Sequence, residues 1–255
     1  MSLSLTMTTS SRRPRMIGGL AAVLRVVVVV LAATIMVRAA PADQHELCDE
    51  WALRGECEAN PNYMLVSCAT ACGKLSQDKQ ALKAQVAHID SFFDLSAPDL
   101  DGYPVDFAQF RNQITILTNV ATYCGRTDSH YKGLVRLYAR FQDDTTNNVP
   151  VNILAFPCNQ FGEQEPGSAA EIKQFAADLG VTFRMMQKVD VNGDGASLVY
   201  KFLKYHADVD LIQWNFDTYF LVDGRGNIQA LSDVHPRHLW EPVQKLVHGG
   251  GGEEL

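Results

Sequence analysis

The chain has 255 residues, enough for one large domain or two smaller ones, and its 47% apolar and 20% charged composition is that of a folded globular protein. Residues 1–40 carry five arginines and no acid, which leaves 17 basic against 29 acidic residues and a net charge of −12 for the rest. Phosphate backbones and anionic lipid surfaces repel so acidic a body over about a Debye length, which excludes nucleic acid as a main partner.

Residues 1–40 read as a targeting segment. Ser11-Arg-Arg-Pro-Arg15 is a basic leader, residues 26–37 are an apolar core, and small residues offer cleavage points after Ala39 or Ala42. A signal anchor is the alternative, since residues 16–37 as a helix would reach roughly 33 Å, but Arg25 interrupts that span. An organelle transit peptide is a third reading of the same basic, acid-free composition. A cleaved signal or an anchor leads into the secretory pathway, to an extracellular or lumenal location where disulfides persist.

Residues 46–75 hold Cys48, Cys57, Cys68 and Cys72 with little aliphatic content, so they need covalent staples to fold. Four cysteines allow three pairings, and spacing does not choose among them. Zinc is disfavoured, because close cysteine pairs are missing and His45 has no companion. The stretch resembles the ShK-toxin-like domain through W-A-x-x-G-E-C (51–57), N-P-x-Y-M (60–64) and C-x-x-x-C-G (68–73). That resemblance implies the pairs Cys48–Cys68 and Cys57–Cys72, with the family's third bridge absent and Leu75 where its sixth cysteine would fall. Tyr63 follows Asn62 where channel-blocking members place a lysine, so an accessory interaction module is expected rather than a channel blocker.

Residues 76–90 are polar and helix-permissive, suited to a linker or a short connecting helix. A second domain spans 91–248. Its opening stretch reads as a β-hairpin turning at Asp101-Gly102, and residues 114–121 and 149–157 are β-branched runs of buried-strand length. Helical spacing covers 126–142. Ser168 with Glu171 forms a capping box for a second helix through Asp178, and a third helix is expected over 196–206. Residues 220–230 read as an antiparallel hairpin and 236–247 as a closing helix, ahead of a flexible tail at 249–255. This order predicts an α/β fold, thioredoxin-like with a mixed sheet, behind a small disulfide-rich module.

Cys124 sits where the first strand gives way to a helical pattern. A thiol at a helix N-terminus faces unsatisfied N–H groups that favour the nucleophilic thiolate, and Arg126 is expected to help. Gln164 lies in a Gly/Pro-bounded loop after the second strand, and Trp214 and Asn215 directly precede the next strand. If that strand runs antiparallel, all four residues meet at the carboxyl edge of the parallel strands. An indole N–H and two amides are neutral donors suited to holding a thiolate and polarising a peroxide O–O bond.

N-V-A-x-x-C-G-x-T (119–127), F-P-C-N-Q-F-G-x-Q-E-P-G-S (156–168) and W-N-F-x-x-x-F-L-V-D (214–223) resemble the three signature blocks of the glutathione peroxidase family. The resemblance covers residues 91–247. It implies Cys124 as peroxidatic residue, with Gln164, Trp214 and Asn215 completing a catalytic tetrad, and no bound cofactor. It also implies hydroperoxide substrates, lipid hydroperoxides included, in a response to oxidative stress. The connection 204–213 lacks the long insertion of tetrameric members, so a monomer of the phospholipid-hydroperoxide type is expected. Ala177 stands where thioredoxin-dependent members carry a resolving cysteine, which favours glutathione as reducing co-substrate, with thioredoxin as the alternative. Gln213 occupies the position before the tryptophan where a lysine would assist glutathione binding. A non-catalytic redox-sensing or binding protein, in which the ShK-like module dominates, is the rival from another class.

Two features read as decoys. Residues 190–195 imitate a calcium loop, but Lys201 falls where the bidentate acid is needed. His130, six residues past Cys124, would project about 240° away on a helix and is expected at the surface.

Overall fold

The computed structural model describes residues 42–144 and 148–249, so the targeting segment 1–40 and the tail beyond Gly249 lie outside the described residues. Four helices build the module: α1 (Cys48–Leu53), α2 (Glu56–Ala59), α3 (Pro61–Ser67) and α4 (Ala69–Val86). Both cystines form as the resemblance implies, Cys48–Cys68 and Cys57–Cys72. They matter because the module's own apolar cluster is small: Ala52, Met64 and Ala71 pack with the buried cysteines, flanked by Trp51 and Leu75. Asp43 accepts from the backbone N–H groups of Thr70 and Ala71 at 2.8 and 3.0 Å, which satisfies orphan donors at the start of α4. That helix then runs unbroken through the stretch expected as a linker, as far as Val86.

The second domain begins with the hairpin β1 (Ser96–Pro98) and β2 (Pro104–Asp106), paired antiparallel. Its main sheet contains β3 (Ile114–Val120), β4 (Val151–Pro157), β5 (Arg184–Met185), β6 (Thr218–Val222) and β7 (Ile228–Ser232), in the order β5-β4-β3-β6-β7. β3 runs parallel to β4 and antiparallel to β6, so the sheet is mixed, as expected. β5 was not anticipated, since two residues are too few for a periodic signal.

Alternate residues of β3 feed different layers. Leu117 joins Leu154, Phe220, Val199 and Leu203 on one face, where α7 (Leu198–His206) packs. Ile116 and Val120 join Leu134, Leu137, Tyr219 and Val243 on the other, beneath α5 (Thr127–Asp143) and α8 (Trp240–Gly249). Each fully buried Leu, Ile, Val or Phe here contributes on the order of 1.5–3 kcal/mol, and a strand buried on both faces explains the continuous β-branched run. The capping box at Ser168 is present and opens α6 (Ala169–Asp178).

His130 corrects its sequence reading. It is buried, because α5 begins at Thr127 and the angle cannot be counted from Cys124. On α5 it shares one stripe with Leu134, Leu137 and Phe141, the face that meets the sheet. The calcium-like segment is a turn: Gln160 Oε1 accepts from Val191 and Asn192 N–H at 2.7 and 2.9 Å, and Lys201 Nζ donates to Asp194 O.

Candidate active site

Register fixes the site. β3 and β4 end side by side at Val120 and Pro157, and antiparallel β6 starts at that same edge, with Tyr219 opposite Thr118. The three loops carrying the candidate residues therefore leave from one end of the sheet.

Cys124 is buried in the turn between β3 and α5, three residues before the helix rather than in its first turn. Thr127 anchors that turn twice: its N–H donates to Cys124 O at 3.0 Å and its hydroxyl to Ala121 O at 2.6 Å. The Cys124 sulfur accepts from the backbone N–H of Arg126 at 3.5 Å. Arg126 thus meets the sulfur through its amide. Its guanidinium turns away to Asp217 at 3.4 Å and Asp233 at 3.2 Å, which offset its charge.

Gln164 is tied to the cysteine loop by its carbonyl, which accepts from Tyr123 N–H at 3.0 Å. Beside it the Thr122 hydroxyl donates to Glu165 Oε1 at 2.7 Å. Glu165 is fully buried, and burial raises its carboxyl above the usual range. Its N–H donates to Asn159 Oδ1 at 2.7 Å, while Lys188 Nζ donates to the carbonyls of Glu165 and Gly167 at 2.9 and 2.7 Å. These bonds give a loop of irregular backbone a fixed shape.

Trp214 and Asn215 are held by Asn119, near the end of β3. The Asn119 amide donates to Trp214 O at 3.2 Å and to Asn215 Oδ1 at 3.0 Å, and Asn119 O accepts from Phe216 N–H at 2.8 Å. The Trp214 indole lies partly exposed against Phe161, ring centroids 5.7 Å apart, so the second and third sequence blocks touch. Neither the indole nor the Gln164 amide is hydrogen-bonded to the Cys124 sulfur.

Among the described residues, seven buried side-chain nitrogen or oxygen atoms lack a hydrogen-bond partner, and four of them cluster here: Asn119 Oδ1, Gln164 Oε1, Glu165 Oε2 and Asn215 Nδ2. Buried polar groups are ordinarily paired, so this concentration marks a place organised for something other than stability. Sequence reasoning passed over Asn119, Thr122, Glu165 and Lys188. An amide inside a buried β-branched strand was the available signal for Asn119. The second free thiol, Cys158, is fully buried, and burial pushes it up to about 11, which keeps it a thiol and unreactive.

Comparisons with known proteins agree with this architecture. The family model described as Glutathione peroxidase matches residues 92–204, and that described as ShK domain-like matches residues 41–74. Phospholipid hydroperoxide glutathione peroxidase of Bos taurus is 41% identical over 174 residues, covering 64% of this chain and 85% of the relative. Glutathione peroxidase-like peroxiredoxin HYR1 of Saccharomyces cerevisiae is 41% identical over 166 residues, covering 62% of this chain and 98% of the relative. Among solved structures, T. cruzi GPX1 superposes with a TM-score of 0.50 at 28% identity, covering 63% of this chain and 99% of that one.

Proposed function

Because the chain belongs to the glutathione peroxidase family and is a peroxide-reducing thiol peroxidase, we propose that Cys124 is its peroxidatic residue, served by Gln164, Trp214 and Asn215. The Cys124 thiolate attacks one oxygen of the hydroperoxide and the O–O bond breaks. Sulfur gains an S–OH bond, and the departing alkoxide takes a proton to leave as alcohol, or as water when the substrate is hydrogen peroxide. One glutathione thiol then displaces water from the sulfenic acid to form a mixed disulfide. A second glutathione releases Cys124 as oxidised glutathione departs.

The observation that carries this reading is the set of unpaired buried amide atoms on Gln164 and Asn215, on loops tied to the two ends of the Asn119–Cys124 segment. Of these, Asn215 Nδ2 is a donor with no protein partner, available to a sulfur or a peroxide oxygen, whereas the Gln164 atom is the acceptor Oε1. A neutral donor stabilises developing charge without holding the thiolate as a tight ion pair. A redox-sensing or binding protein built on this scaffold would have no use for such unpaired groups.

Glutathione is the proposed reductant. Ala177 occupies the expected resolving position and Cys158 is buried as an unreactive thiol, so a one-cysteine cycle fits this chain better than a thioredoxin-type cycle. Lipid hydroperoxides are the proposed preferred substrates, in keeping with the name of the bovine relative. Tyr123 and Trp214 are large exposed apolar groups beside Cys124 and Asn215, a rim suited to an acyl chain. The two cystines favour a secretory or extracellular location, where such bonds persist, and we propose a monomer.

The test is an NADPH-coupled assay on wild type and Cys124→Ser with phospholipid hydroperoxide or hydrogen peroxide, supplying glutathione and thioredoxin separately. Wild type turns over with glutathione and the variant falls to background. Equal rates for the two proteins would remove Cys124 from the chemistry.

A further inference from the structure

The module does not hang free. Lys79 of α4 reaches Glu58 of α2 at 3.8 Å, and on the peroxidase domain Asp208 at 3.3 Å and Asp210 at 3.4 Å. Between α1, α4 and α7 this leaves a cleft of about 500 Å³, within the range of small-molecule sites. Leu53, Leu75, Leu82 and Leu211 are among its lining residues. Leu75, Lys79 and Leu82 share a face of α4, and Leu75 and Leu82 are only half-buried.

The lining also holds Lys201 and Lys204 of α7, together with the carboxylates of Asp49, Asp78, Asp194 and Asp210. Lys204 is more than nine-tenths buried, yet among the described residues the one hydrogen bond of its ammonium goes to a neutral acceptor, Asn192 Oδ1 at 3.3 Å. The carboxylate in range, Asp210, is already engaged by Lys79. Lys201, one turn away on α7, also lines the cleft, with its Nζ on the carbonyl of Asp194 at 2.7 Å. A buried ammonium with no carboxylate of its own is costly and rare in a structural role, and a second cation beside it adds repulsion. Burial lowers the Lys204 ammonium below the usual lysine range, and Lys201 pushes the same way against Asp210. An anion in the cleft removes both costs.

We propose that this cleft binds a carboxylate-headed acyl chain, with the carboxylate between Lys204 and Lys201 and the chain along the leucines of α1 and α4. The site is shared between the module and the peroxidase domain, shares no residue with Cys124 and its donors, and does not depend on the reading of that cysteine. It gives the module a purpose that channel block does not.

Binding of laurate, laurate methyl ester and acetate to the full chain is compared by calorimetry, for wild type and Lys204→Met. Laurate binds wild type saturably, one per chain, and ester and acetate each bind at least tenfold more weakly. Lys204→Met loses at least tenfold in laurate affinity. Without ligand its melting point is unchanged or higher, since an apolar isostere removes an unpaired buried charge. Wild-type laurate affinity in the variant, or an ester or acetate that binds as tightly as laurate, would overturn the proposal. The readout is binding, so it stands apart from any failure of the peroxidase reading.

Discussion

His130 Nδ1 lies 2.7 Å from the Tyr219 hydroxyl, in a pocket where its ring also meets Phe216 and His235. Burial, reinforced by His235 and Arg126, lowers its pKa to about 4 from the ordinary 6.5. The unfolded chain therefore takes up a proton near pH 6.5 that the folded chain refuses until about pH 4. The neutral ring's contribution is complete above 6.5 and drains away as pH falls through 4. His235, lowered mainly by its own burial, adds to the same acid limb. The expected outcome is a melting temperature that drops between pH 7 and pH 4.5, with a shallower drop in His130→Gln, whose amide can still meet the tyrosine hydroxyl. Superimposable acid limbs for the two proteins would assign the effect elsewhere. At this scale the sequence misled because a histidine's environment depends on what lies across the interface, and Tyr219 is 89 positions away.

Between elements, the Thr122–Glu165 bond joins the end of β3 to the loop that delivers Gln164, alongside the Tyr123–Gln164 backbone bond. Thr122→Val keeps the shape and removes the donor, so a fully buried carboxyl loses its side-chain partner, a loss of roughly 1–3 kcal/mol. The same change loosens the register of Tyr123 against Gln164, so oxidation of Cys124 by peroxide slows while reduction by thiol does not. Stopped-flow Trp214 fluorescence after peroxide mixing, beside urea unfolding, measures both. Glu165→Gln, which retains an acceptor oxygen, stays near wild type. Unaltered stability and oxidation rate in Thr122→Val would show the bond to be incidental. The strands and the capped helix were legible because their signals are local: β-branched runs at 114–121 and 149–157, Ser168 three residues before Glu171. That the loops carrying Cys124, Gln164, Trp214 and Asn215 leave from one edge of the sheet was legible through topology, once β6 was read as antiparallel. The clamps that hold them were not. Asn119 with Asn215 and Thr122 with Glu165 are single side-chain bonds across 96 and 43 positions, and no periodicity announces such pairs.

For the molecule as a whole, the two parts depend on different forces. The peroxidase domain has an apolar layer on each face of its sheet, whereas the module's cluster is built largely from its own cystines. In the chain-entropy picture, a bridge closing a loop of about 15 residues restrains the unfolded chain by roughly 3 kcal/mol, and Cys57–Cys72 and Cys48–Cys68 close loops of 15 and 20. Losing both exceeds what so small a core can supply. Reduction by a phosphine is therefore expected to open α1 to α3 while the five-stranded sheet stays folded. The Lys79 contacts set how far the opening spreads. α4 packs on α7 and Lys79 pairs with Asp208 and Asp210, so the half of α4 beyond Lys79 stays protected longer than the half carrying Cys72. Hydrogen exchange read by mass spectrometry distinguishes the cases. Faster exchange across 48–72 with unchanged protection in β3, β4 and β6 fits two independently stabilised parts. Unchanged exchange in 48–72 after verified reduction would mean that packing on the peroxidase domain, not the cystines, keeps the module folded.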